Sequence, residues 1–398
     1  MRILKICLVS VEYPPTMGGS GVYAYNLAVN LVKLGHEVHV ITRKLLGSKS
    51  YEIQEGVKIH RINWIPIPMF YIPFFSILSF KYVLKLHKKE KFDIIHGNWN
   101  CDLFYNKKYF GVPLISTMHG TWIGEYNSVL YQPLKYYGIN DLSIRAFGKF
   151  FGKIDKKVAQ KTDRLIVVSK FSKKEVLKYY KIPESKIEVI SNGVDRTIFN
   201  KEKKDMHLYR IINPNNYSLL LYVGRLVARK APQVLIDAIA IVRKEVPDIE
   251  LIIVGAGPLR NSLLKKIHEL GLEENIKIYS NISFDTLSKI YAISDIFVLH
   301  SYYEAQGIVL LEAMASGLPI VATAVGGVPE TALKDICGKL VPPGNPEKLA
   351  EAIIELIENE ELRKKYGKNG FERVKKYYDW AYLAQKMESL YKEMIKNR

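Results

Sequence analysis

Cysteine is scarce: three residues in 398, Cys7, Cys101 and Cys337, far apart and with no Cys-x-x-Cys pair. That leaves neither a disulfide framework nor a thiolate zinc site, and a reducing, cytoplasmic setting is expected. Proline is also sparse, at 17, while hydrophobic residues reach 48%, which excludes disorder and collagen-like repeats. The start, MRILKICLVSVEYPPTMGG, lacks a small-residue cleavage site and reads as a buried strand, not a signal peptide. The most apolar stretch, residues 62–84, is broken by Pro66, Pro68 and Pro73. What is left, Phe74 to about His87, is too short to span a bilayer. It is expected to be a core helix, with an interfacial helix trailed by Lys85, His87, Lys88, Lys89 and Lys91 as the alternative. Gly-x-Gly-x-x-Gly, the P-loop pattern and Asp-x-Asp are all missing, so NAD binding and ATP hydrolysis lose their usual support. Nucleic acid is not an expected partner either, because there is no zinc finger, basic zipper or aromatic RNP-type strand.

Acidic residues are outnumbered 40 to 58 by Lys+Arg, a net charge of +18, of which +15 falls in residues 1–200. Such a half suits an anionic membrane surface or phosphorylated small molecules. A lysine-rich, thermophile-type composition accounts for the charge equally well.

The length suggests two or three domains, and two is the working number. In the first half, apolar runs at residues 3–11, Glu37 to Thr42, Asp93 to His96, Pro113 to Met118 and Arg164 to Ser169 alternate with helical stretches, beginning with Val22 to Leu34. This is the pattern of an α/β sheet with parallel strands and crossover helices. After Ser191-Asn192-Gly193-Val194-Asp195 the pattern lapses, then resumes with Ser218 to Gly224, Glu250 to Gly255, Ile276 to Tyr279, Ile296 to His300 and Pro319 to Thr323. The expected organisation is a domain over 1–205, a second over 206–377, and a C-terminal helix, 378–398, packing back on the first. The fold class is α/β, two Rossmann-like doubly wound domains facing a cleft, where ligands of such sheets usually bind.

Four segments carry candidate chemistry. His300 to Thr323 (HSYYEAQGIVLLEAMASGLPIVAT) is expected to end a strand, open a helix at Glu304 and close it near Ser316 with Gly317 as cap. The amides of Ala305, Gln306, Gly307 and Ile308 would then face a ligand at the positive end of that helix. Glu312 would lie about 12 Å further along the axis. Its neighbours Leu310, Leu311, Ala313 and Met314 argue for a specific polar contact over a solvated face. In YVGRLVARKAP a strand delivers Arg225 and Lys230 just before a helix, a diphosphate clamp. In VGAGPLR, Gly255 and Gly257 form a tight turn that lets backbone approach a ligand. In PPTMGGSGVY, Gly18 and Gly19 follow the first strand. His119 stands at a strand end in STMHGTW, and the remaining eight histidines show no metal-ligand spacing.

These residues carry a resemblance. The Glu304–Glu312 block, Gly-Arg-Leu-x-x-x-Lys upstream and Ser-Asn-Gly-Val-Asp before the linker resemble, over nearly the whole chain, retaining glycosyltransferases of family four (group 1), with the GT-B fold. The resemblance implies a nucleotide-diphosphate sugar donor, UDP-, GDP- or ADP-linked, held mainly by the C-terminal domain, and a hydroxyl acceptor on the N-terminal one. It implies that Arg225 and Lys230 hold the diphosphate and stabilise the leaving group, Glu304 contacts the sugar hydroxyls with amides near Gly307 and Ile308 assisting, and Glu312 binds the ribose. Gly18 and Gly19 would bring amides to the diphosphate, His119 would contact the sugar near its reacting carbon, and Gly255 and Gly257 would lie near the nucleotide. Arg229, Ala231, Ala256 and Gln306 depart from the family pattern, which places another cation by the phosphates and alters the sugar pocket. Without Asp-x-Asp, the two cations are expected to replace a divalent metal, and no cofactor is expected. Front-face attack is implied, with Glu304 as covalent nucleophile the lesser alternative. Other readings are a sugar phosphorylase, a nucleotide-sugar epimerase or a non-catalytic sugar-nucleotide-binding protein. The acceptor half points to a lipid-linked or phosphorylated glycan precursor and to peripheral contact with anionic membrane at the inner face.

Overall fold

The computed structural model describes residues 2–15, 18–67, 70–134 and 137–396. Thr16 and Met17 of the glycine loop and Pro68 of the apolar stretch lie outside the described residues. The chain divides into two compact units, one of Met1–Gly124, Phe147–Gly193 and Trp380–Arg398, the other of Glu125–Ala146 and Val194–Asp379. Residues 194–205 therefore go with the second unit, not the first. The reason is local: Val194 N–H donates to the Tyr378 carbonyl at 2.9 Å, and the buried Phe199 ring lies 5.5 Å from that of Tyr291.

The first unit holds β1 (Lys5–Val9), β2 (Glu37–Arg43), β3 (Tyr51–Gln54), β4 (Val57–Ile62), β5 (Ile94–Asn98), β6 (Leu114–Met118), β7 (Arg164–Val167) and β8 (Ile187–Val189). They form one sheet in the order β3-β4-β2-β1-β5-β6-β7-β8. Only β3 runs antiparallel, paired with β4 through a turn in which Glu55 and Gly56 take φ of 49° and 77°. Central strands such as β1 and β5 are buried throughout or nearly so, as expected of a parallel sheet covered on both faces.

Helix Tyr71–Glu90 begins earlier than expected, because Pro73 sits in the first turn, where its missing N–H breaks no intrahelical bond. It buries Ile72, Phe75, Ser76, Ser79 and Val83, so it is a core helix. The final helix, Trp380–Lys396, joins the same unit, burying Trp380, Leu383, Met387, Leu390 and Tyr391 against the β1 side. Among the described residues no helix is long and apolar enough to cross a membrane.

The second unit holds β9 (Ser218–Val223), β10 (Ile249–Val254), β11 (Ile276–Tyr279), β12 (Ile296–Leu299), β13 (Ile320–Thr323) and β14 (Gly338–Val341). All pairs are parallel, in the order β11-β10-β9-β12-β13-β14. Counted from β9, that is the 3-2-1-4-5-6 order of the dinucleotide-binding sheet. The core is Leu, Ile and Val from every strand, with Tyr222, Tyr291 and Phe297 fully buried among them.

Candidate functional site

In a doubly wound sheet the ligand crevice opens beyond the carboxyl ends of the strands at which the order reverses. In the second unit that point lies between β9 and β12, so the loops after Val223 and Leu299 define the site.

The loop after β9 closes in a short 3-10 turn, Ala228–Lys230, with Ala231 in the left-handed region (φ 42°) and Pro232 opening helix Pro232–Glu245. This directs the Lys230 ammonium onto Glu304, with which it forms a hydrogen-bonded ion pair. Ser301 Oγ donates to the same carboxylate oxygen at 2.8 Å. The two charged side chains are only 13% and 7% exposed. Burial pushes the Glu304 carboxyl up, but Lys230 and Arg229 outweigh it and hold the group below its ordinary value. Arg225 is exposed beside this pair in sequence and acts on Lys230 electrostatically. Arg229, expected to add charge by the phosphates, acts on Glu304 electrostatically and also lies 3.6 Å from Glu125, both side chains nearly buried.

The loop after β12 corrects the helix expected to open at Glu304. Gly307 takes φ 90°, outside helical space, and the helix runs only over Ile308–Ala315. Glu304, Ala305 and the buried Gln306 thus lie in the preceding loop, and the 12 Å axial spacing to Glu312 does not apply. Gly307 and Ile308 do stand at the helix start, as expected. The loop is held from behind by residues that the motif reading passed over. Gly327 N–H donates to the Glu304 carbonyl at 2.9 Å, and a Cβ on Gly326 would lie 1.8 Å from that oxygen. A Cβ on Gly327 would lie 2.2 Å from the Ala305 carbonyl, and Tyr302 N–H donates to the Arg229 carbonyl at 2.8 Å. The pair Gly326-Gly327 is visible in the sequence after the β13 run; its cradle role depends on contact with a distant loop.

Glu312 is buried on the short helix, where Tyr291 Oη donates to Oε2 at 2.8 Å. Burial raises its carboxyl to about 7 despite that bond. Gly255 and Gly257 meet a packing demand of their own. A Cβ on Gly255 would lie 1.9 Å from the Gly224 carbonyl, and one on Gly257 2.3 Å from the Leu226 carbonyl. They let the loops after β9 and β10 pack backbone to backbone.

In the first unit, His119 follows β6 with Nε2 2.6 Å from Asn98 Oδ1 and a further side-chain bond to Asn192. The Asn98 amide nitrogen donates to Ser10 Oγ and the Ser20 carbonyl, both at 2.9 Å, so its oxygen must accept from His119 Nε2–H. Burial pushes the imidazole down to about 3, and it is neutral. The Tyr23 ring meets it edge-on at 4.7 Å. Asn98 thereby joins His119 to the first turn of helix Gly19–Lys33. The Gly18 amide, expected to meet a diphosphate, donates to Glu12 Oε2 at 3.1 Å, and Ser20 Oγ donates to the same atom at 2.6 Å. Among the described residues one metal-competent group comes together, Glu37, His39 and Glu90, in the first unit. Lys58 and Lys5 already engage its carboxylates.

Comparison with known proteins gives a consistent answer for both halves. The sequence model of Glycosyltransferase Family 4 matches residues 17–197, and that of Glycosyl transferases group 1 matches residues 209–373. An uncharacterized glycosyltransferase of Methanocaldococcus jannaschii is 30% identical, with 98% of each chain covered. Among solved structures, sucrose-phosphate synthase from Thermosynechococcus elongatus superposes with a TM-score of 0.82 at 24% identity, covering 99% of this chain and all of that one (100%). An Anabaena protein, HepE, in complex with UDP and glucose superposes with a TM-score of 0.76 at 19% identity, covering 98% and 100%.

Proposed function

Because the chain belongs to the family-four, group 1 glycosyltransferases and has their GT-B fold, we propose that it moves a hexosyl group from a nucleoside-diphosphate sugar to a hydroxyl acceptor with retention at the anomeric carbon. The observation that carries this reading is the buried Lys230–Glu304 pair at the β9/β12 reversal, with Arg225 on the same loop as the lysine. Breaking the glycosyl–phosphate bond places negative charge on the departing diphosphate and positive charge on the sugar ring. Cations already fixed beside the diphosphate stabilise the first without reorganising.

In the ligand-free protein Glu304 neutralises Lys230. With donor bound, Arg225 and Lys230 meet the diphosphate, and the Glu304 carboxylate accepts from the sugar hydroxyls. The amides of Gly307 and Ile308 at the helix start add to the anion's stabilisation. Glu312, whose Oε2 is engaged by Tyr291, presents its carboxylate to the ribose. A donor phosphate oxygen takes the acceptor proton on the attacked face, and the two cations serve where other transferases use a divalent metal. The acceptor is a phosphorylated or lipid-linked glycan precursor, a reading supported by the surplus of cations in residues 1–200.

A panel of UDP-, GDP- and ADP-hexoses tests this, with release of the nucleoside diphosphate as readout and the UDP sugars first, since a structural neighbour holds UDP. Glu304→Gln and Arg225→Ala are expected to lower kcat by roughly 100-fold or more while the melting temperature is kept. Folded variants turning over like the parent would reject the site; saturable nucleotide binding without any transfer would reject the activity.

A further inference from the structure

The +15 charge surplus of residues 1–200 is not spread evenly over the first unit. From Phe147 to its end, helix Ile139–Lys161 carries five lysines and one carboxylate, Asp155. That carboxylate is fully buried, accepting from Asn100 Nδ2 at 2.7 Å, Trp122 N–H at 2.8 Å and Tyr180 Oη at 2.5 Å. The outward face of this segment is therefore cationic without compensation from its own acids. Lys153 and Lys157, both exposed, stand four residues apart and form one stripe.

Beside the stripe stands an apolar ridge. Phe147 and Phe150 are 46% and 51% exposed, although the next aromatic, Phe151, is buried. The neighbouring chain adds Ile65 and Ile67, 45% and 41% exposed. Phe70 ties that chain to the helix, its ring 6.1 Å from Phe147 and 5.5 Å from Phe151. On its other side the helix is clamped close, since a Cβ on Gly152 would lie 2.5 Å from Ile123. Phe147 is thus held by Phe70 on a helix packed closely from behind, and exposed large side chains of this kind mark an interaction surface.

We propose that this face, Phe147 and Phe150 with Ile65 and Ile67 flanked by the lysine stripe, seats the first unit on an anionic lipid bilayer. Aromatic and aliphatic side chains enter the headgroup boundary while the ammonium groups meet lipid phosphates, the division of labour of an interfacial helix. A second copy of the chain fits worse, because a two-fold contact through this face would set the lysine stripe against itself. The Lys85 to Lys91 cluster on helix Tyr71–Glu90 is not the anchor. Its helix turns Phe75 inward and leaves only Ile77 and Tyr82, both 37% exposed, outside.

The proposal goes beyond the transferase reading and does not depend on it, because vesicle binding requires no turnover. The full chain is sedimented with vesicles of phosphatidylcholine alone and of phosphatidylcholine with phosphatidylglycerol, at low and high salt, and its own association state is measured by ultracentrifugation. Binding is expected only to the mixed vesicles, weakened by salt. Phe147→Ser with Phe150→Ser, and separately Lys153→Glu with Lys157→Glu, should each weaken it roughly tenfold or more at an unchanged melting temperature. Lys85→Glu with Lys88→Glu should bind like the parent. Parent protein left in the supernatant with both vesicle types overturns the proposal, as does undiminished binding by the phenylalanine variant. So does a lipid-indifferent dimer that the phenylalanine variant dissociates.

Discussion

Glu312 sits where its charged form is disfavoured until something accepts its attention. Burial raises its carboxyl from 4.5 to about 7, against the pull of the Tyr291 hydroxyl. The folded protein therefore holds a proton that the unfolded chain releases, and stability falls as pH rises from about 4.5 to about 7. The full swing is of the order of 3 kcal/mol. Glu312→Gln removes it, so the melting temperature of the parent should fall across pH 5 to 7, roughly the span between those two values, while that of the variant changes less. Parallel curves would mean that the carboxyl is not held neutral. The same variant should bind donor more weakly, because an amide accepts a ribose hydroxyl less strongly than a carboxylate. Lys230 and Glu304, which the structure pairs, and Glu312, which it buries, were legible as residues in need of a partner, since charges at strand ends or inside an apolar helix demand a reason. Tyr291 and Ser301 were not, because a tyrosine or serine in a strand-helix pattern announces nothing until its partner is located.

The loop that carries Glu304 is placed by its neighbour more than by its own sequence. Gly326 has φ 56°, and a Cβ there would meet the Glu304 carbonyl at 1.8 Å. Gly47 has φ 76° but open space around the same point. Gly47→Ala should therefore cost only backbone strain, about 1 kcal/mol, whereas Gly326→Ala adds a backbone collision and should cost about 3 kcal/mol or more. It should also move Glu304 and reduce the donor-induced rise in melting temperature. Equal losses for the two variants would refute the cradle.

The same contacts explain which elements could be foreseen. The short, partly exposed β8 and β14 were missed, whereas the buried parallel strands appear as continuous apolar runs and were found within a residue or two. The β3–β4 hairpin was not, because Tyr51 and Ile53 are exposed at the sheet edge and Lys58 interrupts β4. The start of helix Ile308–Ala315 was misplaced by four residues, since the left-handed Gly307 that breaks it is a demand of packing, not of periodicity.

At the scale of the molecule, each unit has a sheet with one reversal of strand order, and the chain, after leaving the first unit at Val194, returns to it in its last helix. That return is structural, not decorative. Trp380, Leu383, Met387, Leu390 and Tyr391 are all buried in the first unit's core. At roughly 1.5–3 kcal/mol for each such side chain, they contribute about 10 kcal/mol, comparable with the whole stability of a typical domain. The helix also satisfies buried imidazoles: Tyr391 Oη lies 2.5 Å from His96 Nδ1, and Glu388 lies 2.9 Å from His36 Nε2. A chain ending at Asp379 would lose the apolar cover and leave both histidines short of a partner. The second unit, whose core cluster draws on none of those residues, should stand. Hydrogen exchange on the truncated chain should accordingly show β1, β2 and β5 exchanging near the rate of unfolded peptide while β9, β10 and β12 keep their protection. Retained protection in the first sheet would mean that its eight strands and remaining helices bury enough apolar surface by themselves, and that the last helix serves some purpose other than completing the core.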